Sequence, residues 1–205
     1  MKIMNTNRHP DNHALESKIY NYIFIFFACA FIGWLWEVAL YFFRTGTFIN
    51  RGVLHGPWLP IYGCGGLGIA LFLQHFTKHP AAVFTLSALG CGTLEYFTGW
   101  YLETFKHLKW WDYSTEFLNL HGRICFGSVF AFGICGLIIT YLIYPNLIKL
   151  FDHFRLQPRK IACLLLIGVF LADFIYSSDV PNTGYGITDP LKPVSGTNLP
   201  APPER

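Results

Sequence analysis

Three acids stand where hydrocarbon is expected. Glu37, Glu95 and Asp173 each lie inside a strongly apolar run, while Arg51 and Arg123 stand in the irregular stretches between such runs. A carboxyl group in that setting can exchange a proton, pair with a cationic group or act as a general base. A guanidinium can hold a carboxylate, a phosphate or a developing oxyanion through paired N–H donors. His55, Tyr62, Trp111, Asp112 and Asn119 accompany them, and these ten side chains are the candidate substrate-binding set. Other chemistries find little support. His55 and His121 do not stand in H-x-x-x-H or H-E-x-x-H spacing, so no metal or other cofactor is expected. Ser114 and Ser128 lack a G-x-S-x-G context, and Cys125 has no evident activating partner, so no recognisable catalytic motif argues for an enzyme.

These groups must be positioned by membrane-embedded helices. Of the 205 residues, 53% are hydrophobic and only 13% charged, with a mean hydropathy of +0.37, against roughly 25% charged in soluble domains. Several apolar runs approach the roughly 20 residues needed to cross a bilayer. The net charge of +3 and the lack of basic residues interleaved with aromatics exclude nucleic acid as a partner. The six cysteines lie in or beside apolar runs without C-x-x-C spacing and read as small buried hydrophobes.

The expected fold is all-α, a polytopic transmembrane bundle of about five spans: roughly 19–43, 60–76, 81–103, 124–147 and 161–180. The polar segment 1–18 precedes this domain (19–180), and a Pro/Gly-rich tail, 181–205, expected to be disordered, follows it. The first apolar run is too long for a signal-peptide core and reads as a retained span. A basic loop, 150–160, carries Arg155, Arg159 and Lys160 and follows Lys149. It places that face, and with it the N-terminus, in the cytoplasm of a multi-pass inner-membrane protein.

By span parity the two irregular connectors, 44–59 and 104–123, share the opposite face. Glu37, Glu95 and Asp173 precede the expected span ends Phe43, Glu103 and Val180 by six, eight and seven residues, which puts all three roughly 9–12 Å below that face at 1.5 Å per residue. Arg51 and Arg123 are then countercharges at the rim, and Asp112 either caps a short interfacial helix or pairs with one of these arginines. Trp110 suits the aromatic belt, and the glycines Gly63, Gly65, Gly66 and Gly68 suit close helix packing.

Six blocks carry a resemblance: Gly33-Trp-Leu-Trp-Glu37, Asn50-Arg-Gly-Val-Leu-His-Gly-Pro57 with Pro60-Ile-Tyr-Gly63, Leu94-Glu95-Tyr96, Trp110-Trp-Asp-Tyr113 and Asn119-Leu-His-Gly-Arg-Ile124. Together, over about residues 20–175, they resemble the ABC-transporter type IV family of small bacterial integral membrane proteins, often labelled permeases. The resemblance implies a permease acting on a small solute or lipid with a separate ATPase subunit. The chain itself has no G-x-x-x-x-G-K-[ST] phosphate loop. Three readings follow: a permease-like protein with a charged pocket near one face, a membrane-embedded enzyme acting on a lipid or lipid-linked substrate, and a structural or signalling subunit whose acids only pack helices.

Overall fold

The computed structural model describes residues 10–184 and residue 187. The N-terminal segment before Pro10 and nearly all of the tail expected to be disordered therefore lie outside the described residues. Five continuous helical rods run through the described residues. They are α1 (Pro10–Thr45), α2 (Pro60–Phe72) with a 3₁₀ turn Leu73–Phe76, and α3 (Pro80–Tyr101) with a π turn Leu102–Lys106. Then come α4 (Phe126–Ile138), running through a π turn Ile139–Ile143 into α5 (Tyr144–Asp152), and finally α6 (Leu156–Asp179). Among the described residues there is no strand, only an isolated bridge between Leu120 and Ile124. Three rods, His13–Thr45, Phe126–Asp152 and Leu156–Asp179, are long and apolar enough to cross a membrane by themselves.

Local chemistry accounts for the boundaries. Pro60 and Pro80 open α2 and α3 at first-turn positions, where a missing N–H costs nothing. Pro145 lies just after the π turn 139–143; its absent N–H and its ring force the helix to widen rather than break. The basic loop expected over 150–160 shrinks to three residues, because α6 already begins at Leu156. Pro158 falls in the first turn of α6, where proline is compatible with helix.

Helices α1 and α2 form one close pair and α3 and α4 another. Missing side chains make both approaches possible. A methyl on Gly33 would collide with the Tyr62 side chain, and one on Gly66 with the Cys29 side chain; across the second pair, Gly133 faces Phe84 and Gly136 faces Ser87. Ile25, Cys29 and Ala70 join the two pairs through Ile139 and Tyr144, and Ile69, Leu73 and Val83 pack against Leu137. Helix α6 is peripheral: only 11% of its most apolar window is buried.

The first connector does not stay at the end of α1. The Leu59 N–H donates to the Ala30 carbonyl at 3.0 Å, and Trp58 packs edge-on against Phe27 and Phe170. Ala30 is fifteen residues before Thr45, the end of α1, or roughly 22 Å along a helix. Residues 51–59 therefore descend beside α1 as a re-entrant segment, and α2 starts deep in the protein. This explains the shortness of the second rod.

Gly66→Ala should lower stability by about 1–3 kcal/mol through overpacking against Cys29. Gly68→Ala, where a methyl meets nothing within 4 Å, should be close to neutral. Unfolding in mixed micelles measures both.

Candidate functional site: a charged layer beneath the connectors

Glu37 sits on α1, facing the first turn of α2. Its Oε1 accepts the Tyr62 hydroxyl at 2.7 Å, and its Oε2 lies 3.5 Å from an Arg51 guanidinium nitrogen. The Arg51 guanidinium also stacks over the Tyr41 ring, 5.5 Å from its centre. On α3, Glu95 repeats half of this arrangement. Its Oε1 accepts the Tyr113 hydroxyl at 3.1 Å, but no cation lies within ion-pair distance among the described residues. Glu95 is 9% exposed, and its Oε2 finds no hydrogen-bond partner there. Ser128 is a further polar neighbour, but its hydroxyl is engaged with the Cys125 backbone at the start of α4. Glu37 and Glu95 are close enough to feel each other's charge, as are Tyr62 and Tyr113. The layer is thus two carboxyl groups, each receiving a tyrosine hydroxyl, served by one arginine.

Tyr113 comes from the second connector, where burial and then the charges of Glu95 and Glu37 push its hydroxyl pKa up. It stays protonated and donates. The connector holds its shape by internal bonds. Asp112 accepts from the Ser114 hydroxyl at 2.5 Å and its N–H at 2.9 Å, and pairs with Lys109 at 3.1 Å. Its carboxyl is held below the usual range, first by the Ser114 hydroxyl. Neither Arg51 nor Arg123 is its partner: residues two and three away reach it first. Asn119 ties the Ser114 and Glu116 carbonyls and accepts from Gly122 N–H. The left-handed backbone at Leu118, His121 and Gly122 closes the loop, and Trp111 donates to the Arg123 carbonyl at 2.8 Å.

Arg123 does not join the layer. It forms a two-pronged contact with Glu103 Oε2, at 2.9 and 2.5 Å, and stacks 5.3 Å over Tyr96, whose hydroxyl also meets His121 Nδ1 at 2.9 Å. The π turn at the end of α3 contains Glu103, so a local acid outcompetes a distant one. Asp173 likewise leaves the layer. Its two oxygens take the His55 N–H (3.1 Å), the Gly56 N–H (3.0 Å), the Trp58 indole N–H (2.7 Å) and the Ser177 hydroxyl (3.2 Å). His55 Nδ1 lies 3.0 Å from the same Ser177 hydroxyl. Asp173 therefore serves the re-entrant backbone. Asn182 adds bonds to the Asn50 and Gly52 carbonyls, and its N–H meets the Val53 carbonyl.

Of the ten candidates, the layer gathers Glu37, Arg51, Tyr62 and Glu95. Trp111, Asp112, Asn119 and Arg123 shape or flank the second connector, and His55 and Asp173 belong to the re-entrant clamp. Tyr113, an aromatic that suits either the interfacial belt or a groove, is outside that set, and so is Ser177. Tyr113 stood in the W-W-D-Y block, and Ser177 is four residues after Asp173, on the same helix face. Among the described residues no three His, Cys, Asp or Glu side chains gather as for a metal. Two sizeable, largely apolar cavities, one lined by Ile19, Ile23 and Phe170 among others and one by Cys64, Cys91 and Leu94 among others, have no residue of the charged layer in their walls.

Fold and site together define an all-α membrane protein with a re-entrant segment and a charged layer beside it. Residues 24–178 match the family described as Putative ABC-transporter type IV, and the chain belongs to that family. No curated protein and no solved structure matches it.

Asp173→Asn removes charge and places an amide against four donors. The peptide 50–59 should then exchange its amide hydrogens faster, by the equivalent of about 1–3 kcal/mol of local stability, in hydrogen-exchange mass spectrometry, with helices α3 and α4 unchanged.

Proposed function

We propose that the chain is the permease-like membrane subunit of an ATP-driven transporter, in which Glu37, Arg51, Tyr62, Glu95 and Tyr113 form the charged step of the solute's path. The observation that carries this reading is the inequality of the two acids. Glu37 has a cation, whereas Glu95 is buried with one oxygen unfilled. An uncompensated carboxyl at membrane depth is costly, and a packing role alone would be served as well by a neutral side chain. A transported solute with a positively charged or hydrogen-bond-donating group, or a proton moving with it, would complete Glu95 as Arg51 completes Glu37. Family membership supports a separate ATPase. Orientation follows the positive-inside bias: N-terminus cytoplasmic in the inner membrane, with the connectors on the outer side.

The enzyme reading is weaker, because both connector arginines are occupied by carboxylates and neither is left to hold a phosphate or oxyanion. In the packing reading, Glu95→Gln would matter for stability alone.

The test is reconstitution in proteoliposomes with a copurified subunit verified to carry a P-loop. Glu95→Gln should fold normally and reduce coupled ATP turnover about 10–100-fold, as expected for losing a hydrogen bond to a charged group worth about 1.5–3 kcal/mol. Full turnover in Glu95→Gln and in Glu37→Gln would exclude the layer from the path.

A further inference from the structure

Helix α6 is fastened at its two ends and, apart from the packing of Phe170 against Phe26, Phe27 and Trp58, stands away from the bundle between them. At one end are the Asp173 and Asn182 contacts described above. At the other, Arg159, 5% exposed, bonds the Asn21 side chain, the Ser17 carbonyl (3.1 Å) and Asp152 (3.3 Å), and Cys163 approaches the Tyr20 carbonyl at 3.8 Å. Between these clamps, α1, α2 and α6 line an open-sided cavity of about 340 Å³. Its lining includes Ile19, Ile23, Phe26, Leu67, Ile167 and Phe170, with no charged side chain. The edge-packed rings of Phe27, Trp58 and Phe170 close it beneath the re-entrant tip.

We propose that this cavity holds one acyl chain of an anionic phospholipid whose phosphate lies beside Lys18 and Lys160. The dimensions and the charges agree. Lys18 immediately precedes the lining residue Ile19, and Phe27 at the roof is nine residues further along α1, a rise of roughly 14 Å. That is about half the roughly 30 Å hydrocarbon thickness, the depth of one leaflet. The apolar lining offers nothing to water, while the solvent around a membrane helix is acyl chain. Lys18 and Lys160 are exposed, and they neighbour Ser17 and Arg159, which the clamp holds together. The Arg159 Nε–H has no acceptor among the described residues. Basic groups between helices at the cytoplasmic boundary are a recognised setting for anionic head groups. The chain would fill the gap under Trp58 and so support the re-entrant segment from below.

The experiment is native mass spectrometry of the full chain released from nanodiscs containing equal phosphatidylglycerol and phosphatidylcholine. One phosphatidylglycerol should be retained in preference. The double variant Lys18→Ala/Lys160→Ala should cut that preference by roughly tenfold, since each basic side chain near the surface contributes to anionic-lipid attraction. Leu67→Trp and Ile167→Trp, which fill the cavity, should abolish retention of either lipid. Leu165→Trp, on the exposed side of α6, should leave retention unchanged and controls for folding. Equal retention of the two lipids by the parent protein, or undiminished retention in both tryptophan-filled variants that elute as folded protein, would overturn the proposal. So would an unaltered preference in the lysine variant.

Discussion

A peptide N–H inside a bilayer has no water to turn to, and that constraint organises this molecule. The segment 51–59 cannot be helix, because Gly52, Gly56 and Pro57 disfavour it, yet it descends beside α1 to the level of Ala30. Irregular backbone at such depth persists only where protein supplies the missing partners. Here α6 and the residues that follow it supply several of them. The Asp173 carboxylate meets two backbone N–H groups and the Trp58 indole, and Asn182 meets the backbone of Asn50, Gly52 and Val53. The charge of Asp173 is balanced by oriented donors rather than by a cation. A helix that buries little of its own surface is thereby indispensable to the architecture.

The re-entrant segment also decides what Glu37 can do. By consuming the outer part of the second span it lets α2 begin deep, so that Tyr62, in the first turn, reaches the Glu37 carboxylate while Gly33 makes room for its ring. Arg51 enters from the start of the descent and supplies the charge. The second connector performs the analogous task for Glu95 with Tyr113 but spends its arginine on Glu103. Two chain reversals of different shape thus bring a tyrosine to an acid, buried in the case of Glu95 and half-buried in that of Glu37. They differ in whether a cation follows: Arg51 pairs with Glu37, whereas Glu95 has no cation within ion-pair distance among the described residues.

Much of this plan was legible in the chain. Apolar run lengths give the five rods, and the clustering of acids near one depth identifies residues that need partners. The blocks around Arg51 and Trp111 mark the connectors and the family. The partners themselves were hidden. Proline and glycine announce a break without saying whether it lies at the surface or in the bilayer, so the descent of 51–59 was not readable, and with it the role of Asp173. Arg123 could be placed near the layer by parity, but Glu103 stood at an expected span end, where an acid looks solvated. The π turn that presents Glu103 to Arg123 has no sequence signature beyond His107, which ends it in a left-handed conformation. The basic stretch 150–160 contains the first turn of α6, because that helix begins at Leu156, ahead of its apolar run.

The central claim is that the 51–59 segment lies within the bilayer. Its most direct test is thiol labelling in intact membranes with a membrane-impermeant maleimide, comparing Pro57→Cys with Phe48→Cys, both at positions exposed on the protein itself. The account predicts rapid labelling at 48 and none above the parent background at 57, with a lipid-soluble maleimide reaching both. Labelling of Pro57→Cys by the impermeant reagent as fast as Phe48→Cys would show an aqueous surface loop and contradict it.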